Sequence, residues 1–216
     1  MPRIEELAQG NKKFKEKFFP HFQKDLEESV KHGQKPEILF IGCSDSRVTH
    51  DWMLDARPGD MFILRNVGNF VPPFKADNDF HGTAAAIEYA VSVLNVKDII
   101  ICGHSHCGAC RSLYEEIPDD VSLIHVKKWL ELGKQVKEFT LSTIEKGSSK
   151  EQLYRLTERN SILHQLENLF TYPAIKERVE KGDLEVHGWY YCIEKGSIEY
   201  YDMQEKTYKP LSELYQ

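Results

Sequence analysis

The chain has no apolar run near the ~20 residues that a helix needs to cross a bilayer, which argues against a helical membrane protein. It has no basic block either. Lys and Arg number 28 against 34 Asp and Glu, a net charge of −6 spread along the chain, so no nucleic-acid partner is expected. Cysteines are few and odd in number: Cys43, Cys102, Cys107, Cys110 and Cys192. That is no disulfide framework, and such cysteines are expected to bind metal or to lie as buried thiols. The first residues, Met1-Pro2-Arg3-Ile4-Glu5-Glu6, carry charge where a secretory leader needs an apolar stretch, so a cytoplasmic protein is expected. Internal repeats and low-complexity tracts are absent.

What is present suffices for one core. At 216 residues and 41% hydrophobic content, a single domain over 1–216 is expected. From Arg3 to about Lys31 the chain is mostly charged, with Ile4, Leu7, Phe14 and Phe18 at helical spacing and a break near Pro20. Residues 1–34 therefore read as a helical arm whose apolar stripe packs on a partner subunit.

Strands then alternate with helices. The pattern predicts strands Glu37–Ile41, Asp60–Arg65 and Asp98–Cys102, a helix from Gly82 to Leu94, and another starting at Cys107 or Gly108. Ser122 to about Lys181 reads as helical, jointed at Gly147-Ser148-Ser149, with Leu156, Leu163, Leu166 and Phe170 on one apolar face. Leu184–Ile193 and Ser197–Asp202 read as a hairpin that extends the sheet. The fold class expected is α/β: a mostly parallel central sheet flanked by helices, with an N-terminal helical arm and C-terminal helices and strands. Ligands of such folds sit beyond the C-terminal ends of the strands.

Two segments fall there. Cys43-Ser44-Asp45-Ser46-Arg47 follows the run Ile38–Ile41, and His104-Ser105-His106-Cys107 follows Ile99–Cys102. Two thiolates and one imidazole are three ligands of a tetrahedral zinc, and an open fourth position marks a catalytic site. A rival reading is a thiol redox site at Cys107-Gly108-Ala109-Cys110. It leaves Cys43, Asp45, Arg47 and His104 without a role. Cys102 and Cys192 fit strand interiors as structural thiols. If the segment after Cys43 stays extended, Asp45 and Arg47 point the same way as the thiol. A carboxylate there can ligate zinc or accept a hydrogen bond, with the arginine holding it in the second role.

These residues, with Arg65-Asn66-Val67-Gly68-Asn69, Ala86-Ile87-Glu88-Tyr89-Ala90-Val91 and Cys102-Gly103-His104-Ser105-His106-Cys107-Gly108, resemble the β-class carbonic anhydrases of bacterial type. The likeness runs from about Gln34 to His187-Gly188-Trp189. It implies a zinc lyase that interconverts carbon dioxide and bicarbonate, with one zinc per chain on Cys43, His104 and Cys107 and an Asp45–Arg47 catalytic dyad. It implies a substrate pocket from Gln34, Phe62, Val67, Tyr89 and the backbone of Gly108. By the same resemblance Gln34, Phe62 and Tyr89 would come partly from a neighbouring subunit, which implies a homodimer as the minimum active unit and a homotetramer as a further option.

The resemblance also implies a closed state in which Asp45 becomes the fourth ligand. The bicarbonate-regulated subgroup carries an aromatic–Arg–Tyr trio, here Phe40, Arg65 and Tyr191. Phenylalanine lacks the indole donor of the usual tryptophan, so an open, unregulated site is expected. Two thiolates should leave the attacking water less acidic than three imidazoles do, favouring mildly alkaline pH. His50, His81 and His106 are the proton-transfer candidates. Two alternatives stand beside this reading: a carbon disulfide or carbonyl sulfide hydrolase on the same fold, and a non-catalytic, zinc-stabilised bicarbonate-binding protein.

Overall fold

Apolar runs such as Ile38-Leu39-Phe40-Ile41 leave no strand face for solvent, so both faces need cover. The computed structural model, which describes residues 3–214, meets this with a six-stranded sheet. In chain order its elements are α1 (Ile4–Lys13), α2 (Phe19–His32), β1 (Ile38–Cys43), α3 (His50–Leu54), β2 (Met61–Asn66), α4 (Gly82–Glu88) and β3 (Asp98–His104). There follow α5 (Gly108–Ser112), α6 (Ile124–Leu130), α7 (Lys134–Thr143), α8 (Lys150–Leu169), α9 (Pro173–Glu180), β4 (Glu185–Cys192), β5 (Ser197–Asp202) and β6 (Thr207–Pro210).

The strand order is β2-β1-β3-β4-β5-β6. The first four are mutually parallel, and β5 and β6 add antiparallel beyond β4. This is the mostly parallel sheet expected, extended by the C-terminal hairpin. Strand β6 was not anticipated, because Thr207-Tyr208-Lys209-Pro210 has no apolar run. Among the described residues no helix is long and apolar enough to cross a membrane.

Side chains alternate across the sheet. Leu39, Ile41, Ile99 and Ile101 join the main core with Ile87 of α4, Ile162, Leu166 and Leu169 of α8, and Ile175 of α9. Phe40, Ile100 and Cys102 face the other way, towards Met53, Leu54, Met61, Trp189 and Tyr191. Each fully buried aliphatic side chain favours this arrangement by about 1.5–3 kcal/mol.

Helix α8 opens on a complete capping box, Ser149 with Gln152. Its buried face keeps Leu166 of the leucine stripe expected, with Leu163 half-buried against the same core, but is otherwise different. Thr157, Glu158, Ser161, Ile162, Gln165, Leu166, Asn168 and Leu169 are buried, while Phe170, just past the helix, is exposed. Two of the polar members have backbone partners: Gln165 Oε1 accepts the Val71 N–H at 2.7 Å, and Asn168 Nδ2 donates to the Val71 carbonyl at 2.8 Å. The helix can lie so low because Gly103 and Gly188 are bare. A Cβ on Gly103 would stand 2.7 Å from Ile162, and one on Gly188 would stand 2.9 Å from it.

The arm stays helical through Pro20. A π turn over Phe14–Phe18 widens the helix just before the ring, where the missing N–H and the steric clash would otherwise break it. No residue of α1 or α2 is buried, so in the isolated chain the stripe at Ile4, Leu7, Phe14 and Phe18 faces solvent.

Candidate metal centre

Strands β1 and β3 each run two residues further than expected. The ladder continues through Cys43 opposite Asn66 and through His104 opposite Tyr191, so both residues are the last of their strands. Cys107 follows a turn in which His106 takes the left-handed conformation at φ 58°. The Sγ atoms of Cys43 and Cys107 and a ring nitrogen of His104 lie within 4.8 Å of one another. All three residues are buried.

The histidine decides what this cluster is. Its Nδ1–H donates to the Ser105 carbonyl at 2.9 Å, which leaves the Nε2 lone pair buried with no partner. A buried acceptor without a donor is costly, and a neutral imidazole fixed in this tautomer by a carbonyl is what a cation requires. Among the described residues a second donor group, Asp98, Glu185 and His187, lies near the start of β3 and β4. There His187 Nε2 is already engaged by Asp98 at 2.8 Å. The thiol–imidazole cluster is the one whose donors are left open.

Both thiols are raised by their surroundings. Cys43 is pushed up to about 12 by its hydrogen bond with Cys107 and by burial. Cys107 is raised well above the usual thiol range by Cys110 and by burial. A redox nucleophile needs a lowered thiol pKa, which the surroundings of Cys107 do not favour. Two N–H groups address Cys43 Sγ, those of Asp45 and Gly68, each at 3.4 Å. The Cys107 N–H donates to Glu158 Oε1 at 3.1 Å. Tyr190 donates to the other oxygen at 2.9 Å, and Arg155 lies at 3.2 Å. Burial pushes the Glu158 carboxyl up to about 7 against the pull of Arg155.

The segment after Cys43 is not extended, so the alternation argument for Asp45 and Arg47 fails. Residues Ser46 and Arg47 form a turn. Asp45 Oδ1 accepts the Arg47 N–H at 3.0 Å and its Nε–H at 2.9 Å, while Arg47 Nη2 donates to Oδ2 at 2.7 Å. This local ring holds the carboxyl well below the usual carboxylate range. Arg47 Nη2 also donates to the His106 carbonyl, tying the two ligand loops together. Asp45 stays with the guanidinium rather than joining the thiols.

The other expected residues divide in two. Val67 and Gly108 adjoin the centre, one beside Gly68 and the other after Cys107. Phe62 is opposite Leu39, four positions before Cys43, or about 13 Å along the strand. Its ring meets Tyr89 at 5.8 Å between centroids. Gln34 precedes β1 at the same far end. One chain therefore does not bring Gln34, Phe62 or Tyr89 to its own thiols.

Arg65 donates to the carbonyls of Cys43 at 2.9 Å and Asp45 at 2.7 Å, bracing the ligand loop, while Phe40 and Tyr191 sit in the apolar layer beneath. Among the histidines, His50 stacks edge-on to Phe40, His81 pairs with Asp77 and His106 pairs with Glu194. Glu158, Gly68 and Trp129 were missed by sequence reasoning. Glu158 sits in a helix 51 residues from the amide it binds, and no local pattern marks it. A cavity of about 460 Å³ is lined by Ser44, Asn66, Val67, His125, Val126 and Trp129.

Residues 38–198 match the family model described as carbonic anhydrase. The chain is 42% identical over 199 residues to a carbonic anhydrase of Synechocystis sp., covering 92% of this chain and 71% of that one. It is 36% identical over 207 residues to a carbonic anhydrase of Helicobacter pylori, covering 94% and 93%. Among solved structures, the beta-carbonic anhydrase CcaA superposes with a TM-score of 0.87 at 40% identity, over 96% of this chain and 91% of that one. One of two beta-carbonic anhydrases from Sordaria macrospora, described as tetrameric, gives a TM-score of 0.73 at 32% identity, over 91% and 92%.

Proposed function

Because this chain belongs to the β-carbonic anhydrase family, we propose that it catalyses the reversible hydration of carbon dioxide to bicarbonate and a proton at a zinc centre held by Cys43, His104 and Cys107. The observation that carries the metal assignment is the partnerless Nε2 of His104, buried within 4.8 Å of two thiols. Two sulfurs and one nitrogen suit zinc and leave a fourth position for chemistry. A bound zinc ion supplies a Lewis acid that brings the ionisation of a water molecule towards neutral pH.

The chain's own residues then have defined tasks. Asp45 orients the attacking oxygen by accepting its hydrogen. Three of the carboxylate's lone pairs are taken by Arg47, and Oδ2, which receives only one bond, keeps a free one. Arg47 fixes the carboxylate plane and keeps it ionised, so the acceptor is always ready. Val67 presents an apolar wall suited to a linear, nonpolar molecule, and the Gly108 backbone borders the same space. Phe62, Tyr89 and Gln34 complete the pocket from a second copy.

The oligomer is part of the proposal. A homodimer brings the far-end residues of one copy to the thiols of the next. It also covers the apolar stripe that the arm leaves exposed. The tetrameric relative shows that higher assemblies occur on this fold.

The test is metal content and stopped-flow carbon dioxide hydration on one preparation. One zinc per chain with rapid turnover is the expected result. A metal-free, folded protein, or a zinc-loaded one without hydration activity, would refute the reading.

A further inference from the structure

A single peptide unit beside the metal centre is gripped at both ends. Its oxygen, the Val67 carbonyl, accepts the indole N–H of Trp129 at 2.7 Å. Its nitrogen, that of Gly68, donates to Cys43 Sγ at 3.4 Å. The amide is planar and trans, so holding the oxygen sets the direction of the N–H.

The grip is itself anchored. The Trp129 ring stacks on Phe70, with centroids 6.4 Å apart and planes 23° from parallel, and Phe70 is fully buried. Gly68 needs restraint of this kind. It sits at φ 82°, the left-handed region that glycine enters freely, and glycine resists rotation of its neighbouring peptide least. A side chain cannot stiffen the turn instead, because a Cβ on Gly68 would lie 2.8 Å from the Ala109 Cβ and 3.0 Å from Phe70.

From this arrangement we infer that Trp129 is a positioning residue of the metal centre: by holding the Val67 carbonyl it keeps the Gly68 N–H on the Cys43 sulfur and so tunes that ligand. The inference rests on the reading of Cys43 as a zinc ligand. An N–H directed at a thiolate stabilises its negative charge and draws electron density from the metal–sulfur bond, as partners of ligands do in general. Of the two N–H groups on Cys43, that of Asp45 comes from the ligand's own loop. Only the one from Gly68 depends on a distant element, α6.

The experiment replaces Trp129 with β-(3-benzothienyl)alanine, which keeps the ring shape and lacks the N–H, alongside Trp129→Phe. Three quantities are read on wild type and variants: hydrogen exchange at the Gly68 amide, the sulfur-to-cobalt charge-transfer band of the Co²⁺-substituted protein, and zinc loss to a chelator. The expected result is faster Gly68 exchange, a shifted band and about tenfold weaker zinc retention, with the melting temperature of the metal-free protein little changed. An isosteric variant with wild-type exchange, band and zinc retention would overturn the inference. Should Trp129→Phe fail to fold, the isosteric variant decides alone. A wild-type protein that takes up neither zinc nor cobalt overturns the ligand reading itself, and this inference with it.

Discussion

Arg47 grips Asp45 from two residues away, donating its Nη2 to Oδ2 at 2.7 Å and both its Nε–H and its backbone N–H to Oδ1. The pair is local, but its consequence is not. The same guanidinium reaches the carbonyl of His106, between His104 and Cys107. A carboxylate held this way is an oriented acceptor beside the Cys43–His104–Cys107 cluster.

Replacing Asp45 with Asn should lower kcat/KM for carbon dioxide hydration by about 100-fold, the low end for a positioned acid–base group. Zinc content should stay at the wild-type level. Both are measured by stopped flow and elemental analysis of one sample, and retained activity would remove Asp45 from the mechanism.

In the metal-free protein the thiols of Cys43 and Cys107 are both raised, so they hold their protons near neutrality. Zinc uptake should therefore release about two protons per ion at neutral pH, and about one in Cys43→Ser. An indicator-dye titration counts them. Uptake without proton release would mean that the thiols are not ligands.

Adding a methyl group at Gly103 should destabilise the chain. The new Cβ would stand 2.7 Å from the side chain of Ile162, which is fully buried and has no open space to turn into. Gly103→Ala should cost about 1–3 kcal/mol in urea unfolding of the metal-free protein. Zinc retention should fall too, since His104 is the next residue.

The hairpin of β5 and β6 gives a pH signature away from the site. Lys209 donates to Asp202 at 2.7 Å and, with neighbouring backbone N–H groups, holds its carboxyl down to about 2. A carboxyl depressed on folding adds stability above its unfolded pKa of about 3.9 and loses it as pH falls through the folded value. Asp202→Asn should melt below wild type at pH 7, and the two curves should converge as the pH approaches 2. A constant gap at every pH would mean that packing, not charge, accounts for the difference.

Several parts of this account were legible in the chain. The apolar runs before Cys43 and His104 show which strands end in donors, because a buried parallel strand reads as continuous hydrophobicity and sites on such sheets form at the strands' C-terminal ends. The donor set supports the proposed zinc, because sulfur and nitrogen donors carry that preference wherever they meet. The Gly147-Ser148-Ser149 joint is equally local. The pairing of Asp45 with Arg47 was legible too, although the alternation expected after Cys43 gave way to a turn.

What the residues could not disclose was partnership over distance. Glu158 meets the Cys107 amide, Gln165 the Val71 amide and Trp129 the Val67 carbonyl across separations of 51, 94 and 62 residues. Each bond exists only because α6 or α8 settles beside the ligand loops, and α8 settles there because two glycines leave space. Composition and spacing encode chemistry that a few neighbouring residues share. Only packing decides which remote polar group answers a buried amide, since that choice depends on how closely helix and sheet can approach.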